Sequence, residues 1–238
     1  MVKHIYDKFQ NWYHGGSILF ISDPHFADEE MKYLRKNYIG DDEQVKRINS
    51  KVGKNDTLVI LGDIGDVSYV TKLKGYKVLI MGNHDSGASN YKRVVTREIN
   101  SDICPVCGNK VVYDAYTYHN CGIGYAWCPN CEDTVKPKAD VFHDNKLFDE
   151  VYEGPLFISD KILLSHEPIN FPYALNIHGH NHSGEFLSDA NHINVCAECI
   201  DYTPVNLKHI IEKGVLKNID TIHRITIDEA TERKKKRQ

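Results

Sequence analysis

Apolar and polar positions fall into short blocks along the chain. Residues 17–22 (SILFIS), 56–61 (DTLVIL) and 77–81 (KVLIM) are nearly continuous apolar runs, each closed by a polar tip. The tips are Asp23-Pro24-His25, Gly62-Asp63 and Gly82-Asn83-His84-Asp85. Runs of this length, rich in Ile, Leu and Val, predict strands buried on both faces. Residues 28–53 between the first two runs have a helix-rich composition. Residues 66–75 predict a shorter helical or turn connection, with Asp66 as its N-cap. The alternation predicts an α/β architecture that opens with largely parallel strands. In such sheets ligands collect at the carboxyl ends of strands.

The second half changes character. PLFIS (155–159), KILLSH (161–166), ALNIH (174–178), EFLS (185–188) and HINVCAE (192–198) are closely spaced strand candidates. They predict a second sheet packed on the first, followed by a helix near 206–213. Between the halves, residues 101–137 are rich in Cys, Gly, Tyr and Asn and poor in core-forming leucine, which predicts an inserted module. The expected organisation is therefore an N-terminal extension (1–16), a main domain (17–100 and 138–228), the insert (101–137) and a basic tail (229–238). The cluster from Arg233 to Arg237 within that tail reads as a frayed, solvated end.

Composition narrows the function classes. A net charge of −4 gives no support for polyanion binding by the whole surface. No apolar stretch reaches the length of a membrane span, and the N-terminus lacks a signal-like apolar segment. Four of the seven cysteines form two Cys-Pro-x-Cys pairs. Both features predict a reducing, cytoplasmic setting and metal binding in place of a disulfide framework.

The polar tips supply Asp23, His25, Asp63, Asn83, His84 and Asp85, and His166 follows the strand-like KILLS. NIHGHNHSG (176–184) then adds His178, His180 and His182. Taken singly, each has a plain structural explanation. As an ordered set behind successive strands, they are the oxygen and nitrogen donors that suit Mn²⁺, Fe²⁺, Ni²⁺ or Zn²⁺. One carboxylate can bridge two such ions about 3.5–4 Å apart, an arrangement that turns a shared water into a hydroxide nucleophile for displacement at phosphorus. Spacing alone leaves open whether His178 pairs with His180 or His180 with His182, since either pair lies on one side of an extended segment.

Asp23-x-His25, Gly62-Asp63, Gly82-Asn83-His84-Asp85, His166 and Gly179-His180-x-His182 resemble the motif series of the calcineurin-like metallophosphoesterases, from about residue 17 to about residue 210. The chain is similar to the small single-domain bacterial and viral members. The resemblance implies a two-sheet α/β sandwich with helices on its outer faces and metals at the strand ends, here carrying a small zinc-ribbon insert. It implies that Asp23, His25, Asp63 and His182 hold one ion, and that Asp63, Asn83, His166 and His180 hold the other. His178 then falls outside the ligand set. His84 becomes the proton donor to the leaving alkoxide, with Asp85 fixing its tautomer.

Cys104-Pro-Val-Cys107 and Cys128-Pro-Asn-Cys131 have the spacing of two knuckles around one structural zinc. A metal would supply folding energy that so small a core lacks. Cys121 and His119 are candidate substitute ligands. Cys196 and Cys199, placed in a strand-like run, are expected to point to opposite faces and hold no metal. Tyr113, Tyr116, Tyr118, Tyr125 and Trp127 in the insert could stack on bases or simply pack the module. The expected function is a metal-dependent phosphoesterase acting on a small phosphoester, a nucleotide or cyclic-nucleotide diester by first choice. The alternatives are a nuclease that holds nucleic acid through the insert and a non-catalytic metal-containing binding module.

Overall fold

The structure, a computed structural model, describes all residues except 1–2, 6–8, 114–116, 118–119, 121–123 and 237–238. Tyr116, Tyr118, His119, Cys121 and Arg237 lie outside the described residues. The chain divides into two compact units, one formed by Met1–Arg93 with Lys146–Gln238 and the other by Val94–Asn145.

The larger unit holds two five-stranded sheets. In the first, β2 (Ile18–Ile21), β3 (Thr57–Ile60), β4 (Tyr76–Ile80) and β9 (Glu150–Tyr152) run parallel, and β14 (Val205–Asn206) pairs antiparallel with β2. The second sheet has the order β1 (Lys3–His4), β10 (Leu156–Ser159), β11 (Ile162–Leu164), β12 (Leu175–His178) and β13 (His192–Asn194). There β11, β12 and β13 are parallel to one another. Alternate residues from both sheets meet in one core: Ile18, Phe20, Val59, Leu61, Val78 and Ile80 face Leu156, Leu164, Leu175, Ile177 and Ile193. The intervening Leu19, Ile21, Leu58, Ile60 and Leu79 are buried as well, which is why these strands read as unbroken apolar runs. Helices at Asp41–Lys51 and Leu207–Glu212 bury Val45 and Ile48, and Leu207 and Ile210, respectively. This is the α/β sandwich expected from the sequence.

Several local expectations are corrected. Residues 185–188 form no strand; Leu187 makes only an isolated bridge to Ile193. Cys196 and Cys199 are not strand residues, because β13 ends at Asn194 and Ala197–Ile200 is a 3-10 helix with Cys196 as its N-cap. A 3-10 turn brings residues three apart onto one side, so the two thiols face the same neighbourhood. Residues 229–235 of the basic tail are exposed and lie in a 14-residue helix, Ile222–Lys235, with Arg233, Lys234 and Lys235 in its last turn, where cations complement the helix dipole. Asp66 does cap its segment: its carboxylate accepts from the Ser68 N–H at 2.8 Å, ahead of a 3-10 helix at Val67–Lys72.

The smaller unit contains the segment 101–137. It includes a ribbon of β5 (Arg93–Glu98) with β8 (Val141–Lys146) and a hairpin of β6 (Ala126–Cys128) with β7 (Asp133–Val135). Its four knuckle cysteines gather around one point, with Sγ–Sγ distances of 3.9 Å for Cys104–Cys131 and 3.5 Å for Cys107–Cys128. The backbone N–H groups of Val106 and Cys131 donate to Cys104 Sγ and Cys128 Sγ, each at 3.4 Å. The neighbouring Asn109 N–H draws the Cys107 thiol down to about 6.

Candidate metal centre

The in-register parallel strands β2, β3 and β4 end level with one another, and so do β11, β12 and β13. Their carboxyl ends carry Asp23, Asp63, Asn83, His166 and His180 in turn. The backbone there is held in an unusual state. Asp23 (φ 55°), His25 (φ 45°), Asp63 (φ 54°) and His180 (φ 65°) all lie in the left-handed region. A non-glycine residue pays of order 1–3 kcal/mol for such a conformation, and clusters of them mark sites where geometry is imposed for function. Gly82 permits a close approach: a Cβ there would lie 2.9 Å from His166 Nδ1 and would collide with Asp63 Oδ1.

Two donor sets converge. In the first, Asp23 Oδ1 lies 4.0 Å from His25 Nε2 and 3.6 Å from His182 Nε2, and His25 Nε2 lies 3.6 Å from Asp63 Oδ2. In the second, His166 Nε2 lies 3.3 Å from Asp63 Oδ2, 2.8 Å from Asn83 Oδ1 and 3.1 Å from His180 Nδ1. Asn83 Oδ1 and His180 Nδ1 are 3.1 Å apart. Asp63 Oδ2 thus faces both sets.

Asp23 Oδ1 and His25 Nε2 are buried without any hydrogen-bond partner. An orphaned carboxylate oxygen in a dry site costs several kcal/mol unless a cation faces it. Carboxylate and amide oxygens with imidazole nitrogens, at such separations, fit divalent first-row ions. The residues present therefore fit the metals that the motif series implies.

The protonation of these groups follows their surroundings. Burial alone would lower His166, but its hydrogen bond to Asp63 and the charges of Asp23 and Asp63 prevail and lift it to about 9. Burial lowers His25. For Asp63, burial would raise the carboxyl, and the contacts with His166 outweigh it, so it is lowered. His166 Nδ1 meets the Leu61 carbonyl at 2.8 Å, which turns Nε2 toward the site.

His84 stands exposed at the mouth, its backbone N–H donating to Asp63 Oδ1 at 3.0 Å. Its ring centroid is 5.7 Å from that of His25. The hydrogen bonds of Asp85 go to groups other than the His84 ring. The Asp85 carboxylate accepts from the N–H groups of Asp63 (2.8 Å), Ile64 (3.2 Å) and Gly82 (2.9 Å) and from the Tyr91 hydroxyl (3.0 Å). With those donors gathered around it, the side chain is turned back into the loop and ties the β3 tip to the β4 tip. His178 also stands apart. Its ring is buried, Nδ1 bonds the Gly179 carbonyl at 2.8 Å and Nε2 has no partner.

Two residues at the site escaped the sequence reading. Glu198 Oε1 meets His182 Nδ1 at 2.6 Å and lies 3.5 Å from Arg35 Nε. Arg35 is buried and donates to the backbone carbonyls of Asp23 (2.5 Å) and Pro24 (3.3 Å). No motif surrounds either residue, so neither gives a local signal. Cys196 Sγ lies 3.6 Å from His182 Nδ1, behind the ring relative to Nε2.

Two clefts open on this centre. One, of about 470 Å³, runs between Leu34–Asn37 and His180–Gly184. The other, of about 220 Å³, lies between Met81–Asn83, Glu153–Pro155 and Ser165–Glu167. No helix among the described residues is long and apolar enough to cross a membrane.

The profile of the calcineurin-like phosphoesterases matches residues 16–197. A crystal structure of a protein of unknown function from Aquifex aeolicus is similar at 22% identity, covering 82% of this chain and 98% of that chain, with a TM-score of 0.49. No curated protein matches. Because the matched segment runs through every strand end that carries a candidate ligand, the chain belongs to the calcineurin-like phosphoesterase family and is a metal-dependent phosphoester hydrolase.

Proposed function

We propose that the enzyme hydrolyses a small phosphodiester, a nucleotide or cyclic-nucleotide diester by class. The observation that carries this reading is the pair of clefts on the two sides of the donor sets, reaching His180 and His182 on one side and Asn83 and His166 on the other. A diester has two organic substituents to place, and a monoester has one. The larger cleft offers Leu34 as an exposed apolar surface and Lys36 as a cation, which suits a nucleoside.

Asp23, His25, Asp63 and His182 would hold one divalent ion, and Asp63, Asn83, His166 and His180 the other. When bound, the ions supply an activated water and neutralise phosphate charge. The chain's own residues do the rest. The Leu61 carbonyl orients His166, the His180 N–H bonds Asp23 Oδ2 at 2.8 Å, and Asp85 holds the loop that presents Asn83 and His84. His84, exposed at the mouth, donates a proton to the departing alkoxide oxygen. In the smaller unit Cys104, Cys107, Cys128 and Cys131 would hold a structural zinc. Tetrahedral thiolates about 2.3 Å from zinc lie ~3.8 Å apart, which matches the spacing of these sulfurs.

The test compares hydrolysis of a chromogenic diester and monoester with Mn²⁺ added, beside elemental analysis. The expected result is faster turnover of the diester and about one tightly held zinc per chain. A clear monoester preference would overturn the diester assignment. Cleavage of an oligonucleotide that disappears on deletion of 101–137 would put a nuclease in its place.

A further inference from the structure

His166 is oriented by a backbone carbonyl, whereas His182 leans on a carboxylate. Glu198 sits in the first turn of the 3-10 helix Ala197–Ile200, and its Oε1 approaches His182 Nδ1 to 2.6 Å. An ionised carboxylate only accepts, so Nδ1 carries the proton, and in the neutral ring Nε2 keeps a bare lone pair. That lone pair points toward Asp23 Oδ1 at 3.6 Å, an oxygen that itself has no hydrogen-bond partner. Asp23 is buried and His182 half-buried, and two acceptors so placed repel unless a cation lies between them.

Glu198 is itself held firmly. Its side chain is 9% exposed, the Arg35 guanidinium stands 3.5 Å from Oε1, and Cys196 Sγ donates to Oε2 at 3.4 Å. Arg35 also bonds the carbonyl of Asp23. One continuous network therefore joins the two groups, Asp23 and His182, that face each other across the first donor set.

We propose that Glu198 is a positioning residue that fixes the tautomer and direction of the His182 ring and so sets the affinity of one of the two metal ions. The role rests on the metal-centre reading above. Carboxylates that bond the far nitrogen of a ligating imidazole orient it and raise its basicity, and their loss costs about 10–100-fold in metal affinity.

The experiment titrates the full chain with Mn²⁺, followed calorimetrically and by the electron paramagnetic resonance of free Mn²⁺. The proteins are wild type, Glu198→Ala, Glu198→Gln, His182→Ala and the double variant His182→Ala/Glu198→Ala. Glu198→Ala should weaken one site about 10–100-fold and leave the other unchanged. Glu198→Gln, whose amide oxygen still accepts from Nδ1–H, should recover most of the loss. In the His182→Ala background, removing Glu198 should cost almost nothing more. A loss of the same size in that background would show that Glu198 acts through Arg35 or Cys196, and would overturn the proposal. Wild-type affinity at both sites in Glu198→Ala would overturn it too. If Glu198→Ala does not fold, Glu198→Gln decides through the imidazole ¹⁵N spectrum of the zinc-loaded protein. A His182 protonated at Nδ1 in both wild type and Glu198→Gln supports the role, and one protonated at Nε2 refutes it. A wild-type chain that binds no Mn²⁺ would remove the metal centre itself, a failure distinct from all of these.

Discussion

Replacing Asp85 by alanine removes, in one step, the acceptor for three backbone N–H groups and the Tyr91 hydroxyl. Hydrogen bonds to a charged acceptor contribute roughly 1.5–3 kcal/mol each. Simple addition would overstate the loss, because Asp85 is only half-buried and water can reach some of the donors. Asp63 and Ile64 are buried, however, and their amides would be left least well served. A net cost of about 3 kcal/mol is expected, on the scale for breaking a buried charged network. For a chain of this size that lowers Tm by about 6–12 °C. The assay is thermal unfolding of wild type, Asp85→Ala and Asp85→Asn, each with Mn²⁺ and after chelation. Asparagine keeps one acceptor oxygen and should fall between the other two. The destabilisation should persist in the chelated protein, since the lost bonds are the chain's own. If Asp85→Ala melts with wild-type Tm while turnover collapses and metal stays bound, the clamp is misassigned and Asp85 acts on His84 after all.

Other outcomes follow from the same geometry. His84→Ala should reduce turnover by about 10²–10⁴-fold with both ions retained, checked by steady-state rates beside metal analysis; loss of metal would contradict its placement at the mouth. His178→Ala should leave metal content intact, whereas His182→Ala should weaken one site, and a depleted His178→Ala protein would mean that the wrong histidine pair was chosen. In the chelated chain, His166 has a folded-state pKa raised to about 9 from an ordinary 6.5, with burial opposing and the contact with Asp63 prevailing. A raised pKa stabilises fully below pH 6.5 and loses that contribution as pH climbs through 9. Tm of the chelated protein should therefore decline across this window, and the decline should shrink in His166→Ala.

The order of strands β2, β3, β4, β11 and β12 and the polar tips that follow them were legible because both are local. An apolar run of strand length, stopped by Asp, Asn or His, carries its own signal. The knuckle cysteines were legible for the same reason, their spacing being written within a few residues. What sequence could not decide were relations between segments far apart in the chain. Asp85 sits beside His84 in sequence, yet its partners come from residues 63, 64, 82 and 91, and only the packing of neighbouring strand ends reveals them. Glu198 acquires its meaning from Arg35 and His182, which the two sheets bring to it. Strand β1 exists because Lys3 and His4 pair with Leu156 and Phe157, a partner about 150 residues away. Local periodicity determined the central strands of the sandwich and the side chains that end them. Tertiary packing decided what those side chains face, because a hydrogen-bond partner or an orphaned lone pair is a property of the assembled site and of no single stretch of chain.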